Sequence, residues 1–176
     1  MMNYQELLVD ASKQLEYYKF NSAKLDAELI LSKTLGLSRE KILLNLNEKI
    51  NDELLEKFNY FLKLRKQNRP IAYILGFKDF WKYKFQVDKN VLIPRPETEI
   101  IIEQALKNLP KLSKKNILDI GTGSGCIIIS IIKERENCKA TAIDKSLKAL
   151  KVAKINAEMH HVLKKIKFLN IDVDKY

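Results

Sequence analysis

Apolar and polar residues alternate with two different periods along this chain, and the change falls near residue 97. Before it the spacing is helical. Tyr4, Leu7, Leu8, Ala11, Leu15 and Tyr18 fall three or four apart, which predicts a first helix. A second begins near Ser22 and stops at Gly36, a residue suited to the left-handed position after a helix. Ser38 is placed to cap a short helix carrying Ile42, Leu43 and Leu44. Asp52 starts the next, with Leu54, Leu55, Phe58, Phe61 and Leu62 on one stripe. Asn68-Arg69-Pro70 ends it, because proline cannot continue the hydrogen-bond ladder. Residues 1–70 therefore read as a small helical bundle without a catalytic constellation, a recognition or docking module.

Residues 71–96 read as a connector. "IAYILGF" is a short apolar turn closed by Gly76. "FWKYKFQV" sets Trp81, Tyr83, Phe85 and Val87 in alternation with polar residues, a strand or hairpin signal. Packing between the two halves is the expected role of these aromatics, ahead of stacking on a nucleobase. From residue 97 onward helix (97–109), strand (115–120), helix (124–135), strand (138–143), helix (146–159) and strand (166–171) follow in turn. Such alternation predicts βαβ units and a parallel sheet. The fold class is thus a helical bundle joined to an α/β, Rossmann-like domain over 97–176. His160 and His161 fall at the end of a helix, about 100° apart, so they do not pair on a metal. A solvated helix end is the expectation for both.

Composition narrows the setting. The chain has 176 residues, 46% hydrophobic and 31% charged, enough for a core and a soluble surface. Cys126 and Cys138 are twelve apart with no CxxC, which suits idle thiols in a reducing cytoplasm rather than a disulfide or zinc site. No signal peptide or membrane-length apolar run is visible, so the expected location is the cytoplasm. The net charge is +10, yet only five of the 32 basic residues are arginine. A genome biased toward lysine, isoleucine and asparagine codons accounts for that, and direct nucleic-acid binding is not expected.

The chemistry concentrates in "NILDIGTGSG", Asn116 to Gly125. Gly121, Thr122, Gly123, Ser124 and Gly125 follow a strand and open a helix, as a nucleotide-binding loop must. Nineteen residues after Gly125, Asp144 ends the next strand, where a carboxylate can accept both ribose hydroxyls. Two details choose the cofactor. The spacing is GxGxG, and the third glycine of the dinucleotide fingerprint would fall at position 126, which is Cys126. Asp119 lies two residues before the first glycine. At ~5 Å and an effective dielectric of ~20 a carboxylate there would oppose a pyrophosphate by roughly 3 kcal/mol per charge pair. It would attract the sulfonium and ammonium of S-adenosylmethionine, the cofactor favoured over a nicotinamide dinucleotide. Asp172 closes the third strand; its carboxylate can accept from an adenine amino group, with Val173 against the ring.

"LIPRPETE" (Leu92 to Glu99), "ILDIGTGSG" and "AIDKS", together with the "RPIAYILGFKDFW" segment, make the chain resemble the bacterial release-factor glutamine methyltransferases of the HemK type. The resemblance covers the whole chain, and "PRPETE" is its most specific part. It implies cofactor contacts at Gly121 to Gly125, Asp144, Asp172 and Val173; many relatives carry an aromatic residue where Val173 stands. It implies as substrate the glutamine of the GGQ motif in class 1 peptide-chain release factors. Pro96, Glu97 and Glu99 suit the first turn of a helix, and Arg95 or Glu97 can also help close the active site. In that family an Asn-Pro-Pro-Tyr loop after the fourth strand aims the glutamine nitrogen, a positioning effect. These 176 residues contain no Asn-Pro-Pro-Tyr, so no catalytic residue is assigned. The expectation is a first strand left as an exposed edge and no methyl transfer by this chain alone. The competing readings are a non-enzymatic fragment and an amino-directed nucleic-acid methyltransferase.

Overall fold

The computed structural model describes residues 2–175 and divides into two compact units, Met1–Leu75 and Gly76–Tyr176. The first contains helices α1 (Tyr4–Tyr17), α2 (Ala23–Leu35), α3 (Arg39–Leu44), α4 (Asp52–Lys66) and the one-turn α5 (Ile71–Leu75). Their ends are set by short polar side chains. Asn3 and Glu6 form a reciprocal capping box on α1: the Glu6 amide donates to Asn3 Oδ1 (2.8 Å) and the Asn3 amide to Glu6 Oε2 (3.0 Å). Asn51 accepts from the Leu54 amide to start α4, and Ser38 from the Lys41 amide to start α3. Gly36 ends α2 at φ +67°, a backbone position that costs little only for glycine.

The apolar stripes meet in one core that includes Leu7, Leu15, Ile30, Leu31, Ile42 and Phe58. Three expected members turn outward: Tyr18 is half exposed, and Leu43 and Leu44 are exposed because the short α3 buries only Ile42. Ser22 does not cap α2 through the backbone. Its hydroxyl donates to Asp26 (3.0 Å), which also accepts from Arg65 Nε at 2.7 Å while the guanidinium lies 3.9 Å from the Phe20 ring centroid. Asp26 is 1% exposed, so this ion pair locks α2 to α4 through a charge that has no access to water.

The second unit opens with an antiparallel hairpin, β1 (Phe77–Phe80) and β2 (Tyr83–Gln86). Helix α6 (Glu99–Asn108) follows a single 3-10 turn at Pro96–Thr98. Strand β3 (Asn116–Ile120), helix α7 (Cys126–Glu134), strand β4 (Lys139–Asp144), helix α8 (Leu147–Met159) and strand β5 (Ile166–Asn170) complete it. The three strands are parallel in the order β3-β4-β5, as the alternating periods require. Among the described strands β3 is an edge, and its Leu118 and Ile120 are 44% and 54% exposed. Among the described residues no helix is long and apolar enough to cross a membrane.

Several expectations need correction. Phe80 and Phe85 are buried in the second unit's own core with Ile102, Ile128 and Ile132, and Trp81 and Tyr83 pack against that core. Trp81 is not a strand residue. It sits in the hairpin turn at φ +56°, held by its amide donating to Glu99 Oε1 (2.8 Å) and its indole N–H to Glu134 (3.2 Å). Helix α5 falls in the first unit and the hairpin in the second. His160 is only partly solvated: its ring lies 5.0 Å from Phe85 and 5.4 Å from Tyr83, and Nε2 donates to the Lys84 carbonyl at 2.8 Å. His161 is exposed.

Arg65→Ala leaves Asp26 buried without its cation. A loss of about 3 kcal/mol is expected for the helical unit in denaturant unfolding followed by far-UV circular dichroism. A loss within the surface-pair range, below about 1 kcal/mol, would show that the pair is not sealed from water.

Candidate functional site

The glycine loop leaves the carboxyl end of β3 and lies beside that of β4, and the amides of Gly121, Thr122, Gly123 and Gly125 each have a partner. The Gly121 and Thr122 amides both donate to the Ile143 carbonyl (2.9 and 3.1 Å), so the loop continues the β3–β4 ladder. The Gly125 amide donates to Thr122 O at 2.8 Å. The Gly123 amide donates to Asp144 Oδ2 at 2.9 Å, and the Ser146 amide to Oδ1 at 2.8 Å. Asp144 thus clasps the loop on one side and starts α8 on the other. Gly121, Gly123 and Gly125 all have positive φ (72°, 55° and 79°). Gly125 carries a second constraint: a Cβ there would stand 2.8 Å from Ile129 Cδ1 and 3.3 Å from Ala153 Cβ, so α7 and α8 approach closely only because nothing is attached.

A cleft of about 220 Å³ opens at this edge, lined by Gly121, Asp144, Asp172 and Val173 with Lys145 and Ile171. Its place outside the carboxyl ends of parallel strands is where open α/β sheets bind ligands. Of the residues singled out by the sequence, Gly121, Asp144, Asp172 and Val173 meet in the cleft. Gly123 reaches it through its bond to Asp144. Thr122 and Ser124 do not face it: both are buried, and the Thr122 hydroxyl donates to Asp119 Oδ2 at 2.6 Å. Asp172 lies two residues beyond the end of β5, not on the strand. Arg95 and Glu97 are not in the lining; the glutamate of that motif with a long-range partner is Glu99, at Trp81. Lys145 was legible as the residue after Asp144 in "AIDKS" but carried no spacing signal.

Burial raises the Asp119 carboxyl above its ordinary value of 3.8; the Thr122 hydroxyl opposes this and the neighbouring Asp144 charge adds to it. Asp119 does not line the cleft, but with Asp144 it sets two carboxylates against one loop, and these favour a cationic ligand. The Cys126 thiol is pushed up to about 11, again by burial, so it stays protonated and is no nucleophile.

Parallel βα units, a glycine loop on the first strand and a carboxylate at the end of the second define a methyltransferase domain of the Rossmann-like kind. Residues 98–175 match the model of the methyltransferase small domain, and residues 6–76 match that of the PrmC N-terminal domain. The chain is similar to proteins named release factor glutamine methyltransferase. It is 41% identical over 162 residues to the one from Coxiella burnetii, covering 92% of this chain and 58% of that protein. Identity to the Chlorobaculum tepidum protein is 40% over 159 residues (88% and 54%), and to the Escherichia coli protein 36% over 171 residues (97% and 60%). The chain therefore spans between 54% and 60% of the length of these curated relatives.

The raised Asp119 carboxyl makes a signed prediction. Between 3.8 and its raised value the folded state binds more protons than the unfolded one, so Asp119 makes stability fall as pH rises through that window. Above the window the cost is constant. Asp119→Asn keeps an acceptor for Thr122 and removes the charge. The ligand-free variant should melt above the wild type at about pH 7, with the difference closing below about pH 4. Thermal melts across that range decide it; a variant that melts lower at neutral pH would contradict the assignment.

Proposed function

We propose that this chain binds S-adenosylmethionine at the carboxyl edge of its parallel sheet. It then forms the cofactor-binding part of an enzyme that methylates the side-chain nitrogen of the GGQ glutamine in class 1 peptide-chain release factors. The observation that carries the reading is the Asp144 carboxylate, fixed by Gly123 and Ser146 at the mouth of the cleft. Each of its oxygens accepts one backbone hydrogen bond and retains a lone pair, which suits a ribose with two adjacent hydroxyls. The relatives named release factor glutamine methyltransferase supply the substrate class.

The donor set fits this cofactor. Asp119 under the loop favours a sulfonium and an ammonium over a pyrophosphate. Asp172 and Val173 line the same cleft as Asp144, which supports a reading in which Asp172 accepts from an adenine amino group and Val173 lies against its ring. Bound there, the cofactor supplies an electrophilic methyl group. The residues present hold and orient it; no residue among the 176 is assigned to aim the glutamine amide. The helical unit is the substrate-docking part of this reading, since it holds a groove of about 470 Å³ in which Leu8, Val9, Leu43 and Leu46 are flanked by charged residues such as Lys13 and Glu16.

Calorimetry tests both halves of the proposal. S-adenosylmethionine should bind, and Asp144→Ala should weaken it at least ~10-fold, the worth of one charge-assisted hydrogen bond at about 1.5–3 kcal/mol. NAD binding more tightly than S-adenosylmethionine would overturn the cofactor. An intact class 1 release factor titrated into the same protein should give saturable binding, and RNA none. The reverse ranking would replace the protein substrate with a nucleic acid.

A further inference from the structure

Asn156, on the inner face of α8, is fully buried and fully bonded. Its Oδ1 accepts from the Gln86 amide at 2.7 Å. Its Nδ2 donates to the Gln86 carbonyl at 3.0 Å and to the Ser124 carbonyl at 2.8 Å. Toward the hairpin the side chain behaves as one more strand residue, pairing both the N–H and the C=O of Gln86. Toward the site it holds the peptide between Ser124 and Gly125. That peptide is pinned at both ends, since the Gly125 amide of the same plane donates to Thr122 O at 2.8 Å. One turn earlier on α8, Ala153 is the neighbour that Gly125 approaches within the reach of a Cβ. The same helix face therefore admits the loop at residue 153 and grips it at residue 156.

We infer that Asn156 is a positioning residue for the cofactor loop: its amide fixes the Ser124–Gly125 peptide, and with it the direction of the loop, against the edge of the β1–β2 hairpin. The inference rests on the reading of that loop as a cofactor site. The physical case is one of unavoidable cost. A buried amide is tolerated only when its donors and acceptor are met, and this one joins three groups some 32 and 70 residues away in sequence. Leucine would fill the space, so a polar side chain here is explained by what it orients. No other side-chain type has a donor and an acceptor at that reach with the geometry of a peptide.

The test uses the full chain with two variants and a control. Asn156→Asp keeps the acceptor for the Gln86 amide but turns a carboxylate oxygen toward two carbonyls. Asn156→Ser is shorter and cannot span both partners. Val152→Ala, buried on the same helix, removes packing but no hydrogen bond to the loop, since valine has no polar side-chain atom. Amide hydrogen exchange by NMR should accelerate at least ~10-fold at Gly123 and Gly125 in both Asn156 variants, and by less than ~2-fold in the control at a matched melting temperature. S-adenosylmethionine affinity should fall in parallel in the Asn156 variants alone. Loop exchange indistinguishable from the control overturns the inference, whatever happens to binding. A wild type that binds no S-adenosylmethionine, with loop exchange still dependent on Asn156, overturns the cofactor reading and leaves the positioning role standing. If neither variant folds, the wild type decides. The Nδ2 protons must then be protected and exchange together with the Gly125 amide, and fast exchange of Nδ2 overturns the inference.

Discussion

The carboxylate of Asp144 accepting from the Gly123 and Ser146 amides is the interaction on which the second unit's chemistry depends. It sits where a strand ends, a loop returns and a helix begins. Removing it would free the glycine loop, uncover the first turn of α8 and take the fixed acceptor out of the cleft together. A single charge can do all three because the parallel register brings Ile120 of β3 opposite Ile143 of β4, setting the two loops side by side. The glycines then need positive φ to turn back toward Asp144, and Gly125 needs to be bare for α7 to pass α8.

Charge under the loop is a compromise between stability and binding. Asp119 is held where burial resists its ionisation, and the Thr122 hydroxyl offsets that only in part. A fold selected for rigidity alone would place an uncharged acceptor there. Retaining a carboxylate beside Asp144 makes sense if the ligand brings positive charge, which ties the energetic cost to the cofactor proposed. The helical unit shows the opposite economy: its buried carboxylates are paired internally, Asp26 with Arg65 and Glu28 with Arg39.

Much of this was legible in the sequence because it depends on local periods. The helical stripes, the glycine stop at Gly36, the βα alternation and the place of Asp144 at a strand end all follow from spacing within a few turns. The failures have a common cause. Trp81 in a turn at positive φ has no local signature, since its conformation is held by Glu99 and Glu134 from distant helices. His160 looked solvated because the aromatic pair that covers it lies about 75 residues upstream. Asn156 gave no signal at all: an asparagine in a helix has no pattern that reveals partners on a hairpin and in a loop. That Thr122 and Ser124 are both buried is likewise not legible from their place between glycines.

The central claim is that one cleft, built on Asp144 and the glycine loop, takes S-adenosylmethionine. Titrating the cofactor into isotopically labelled protein and following amide resonances tests it most directly. The account requires saturable shifts at Gly121, Gly123, Lys145 and Val173, with the Gly123 amide among the largest. Shifts confined to the helical unit, or a glycine loop that responds to NAD and stays silent to S-adenosylmethionine, would contradict it.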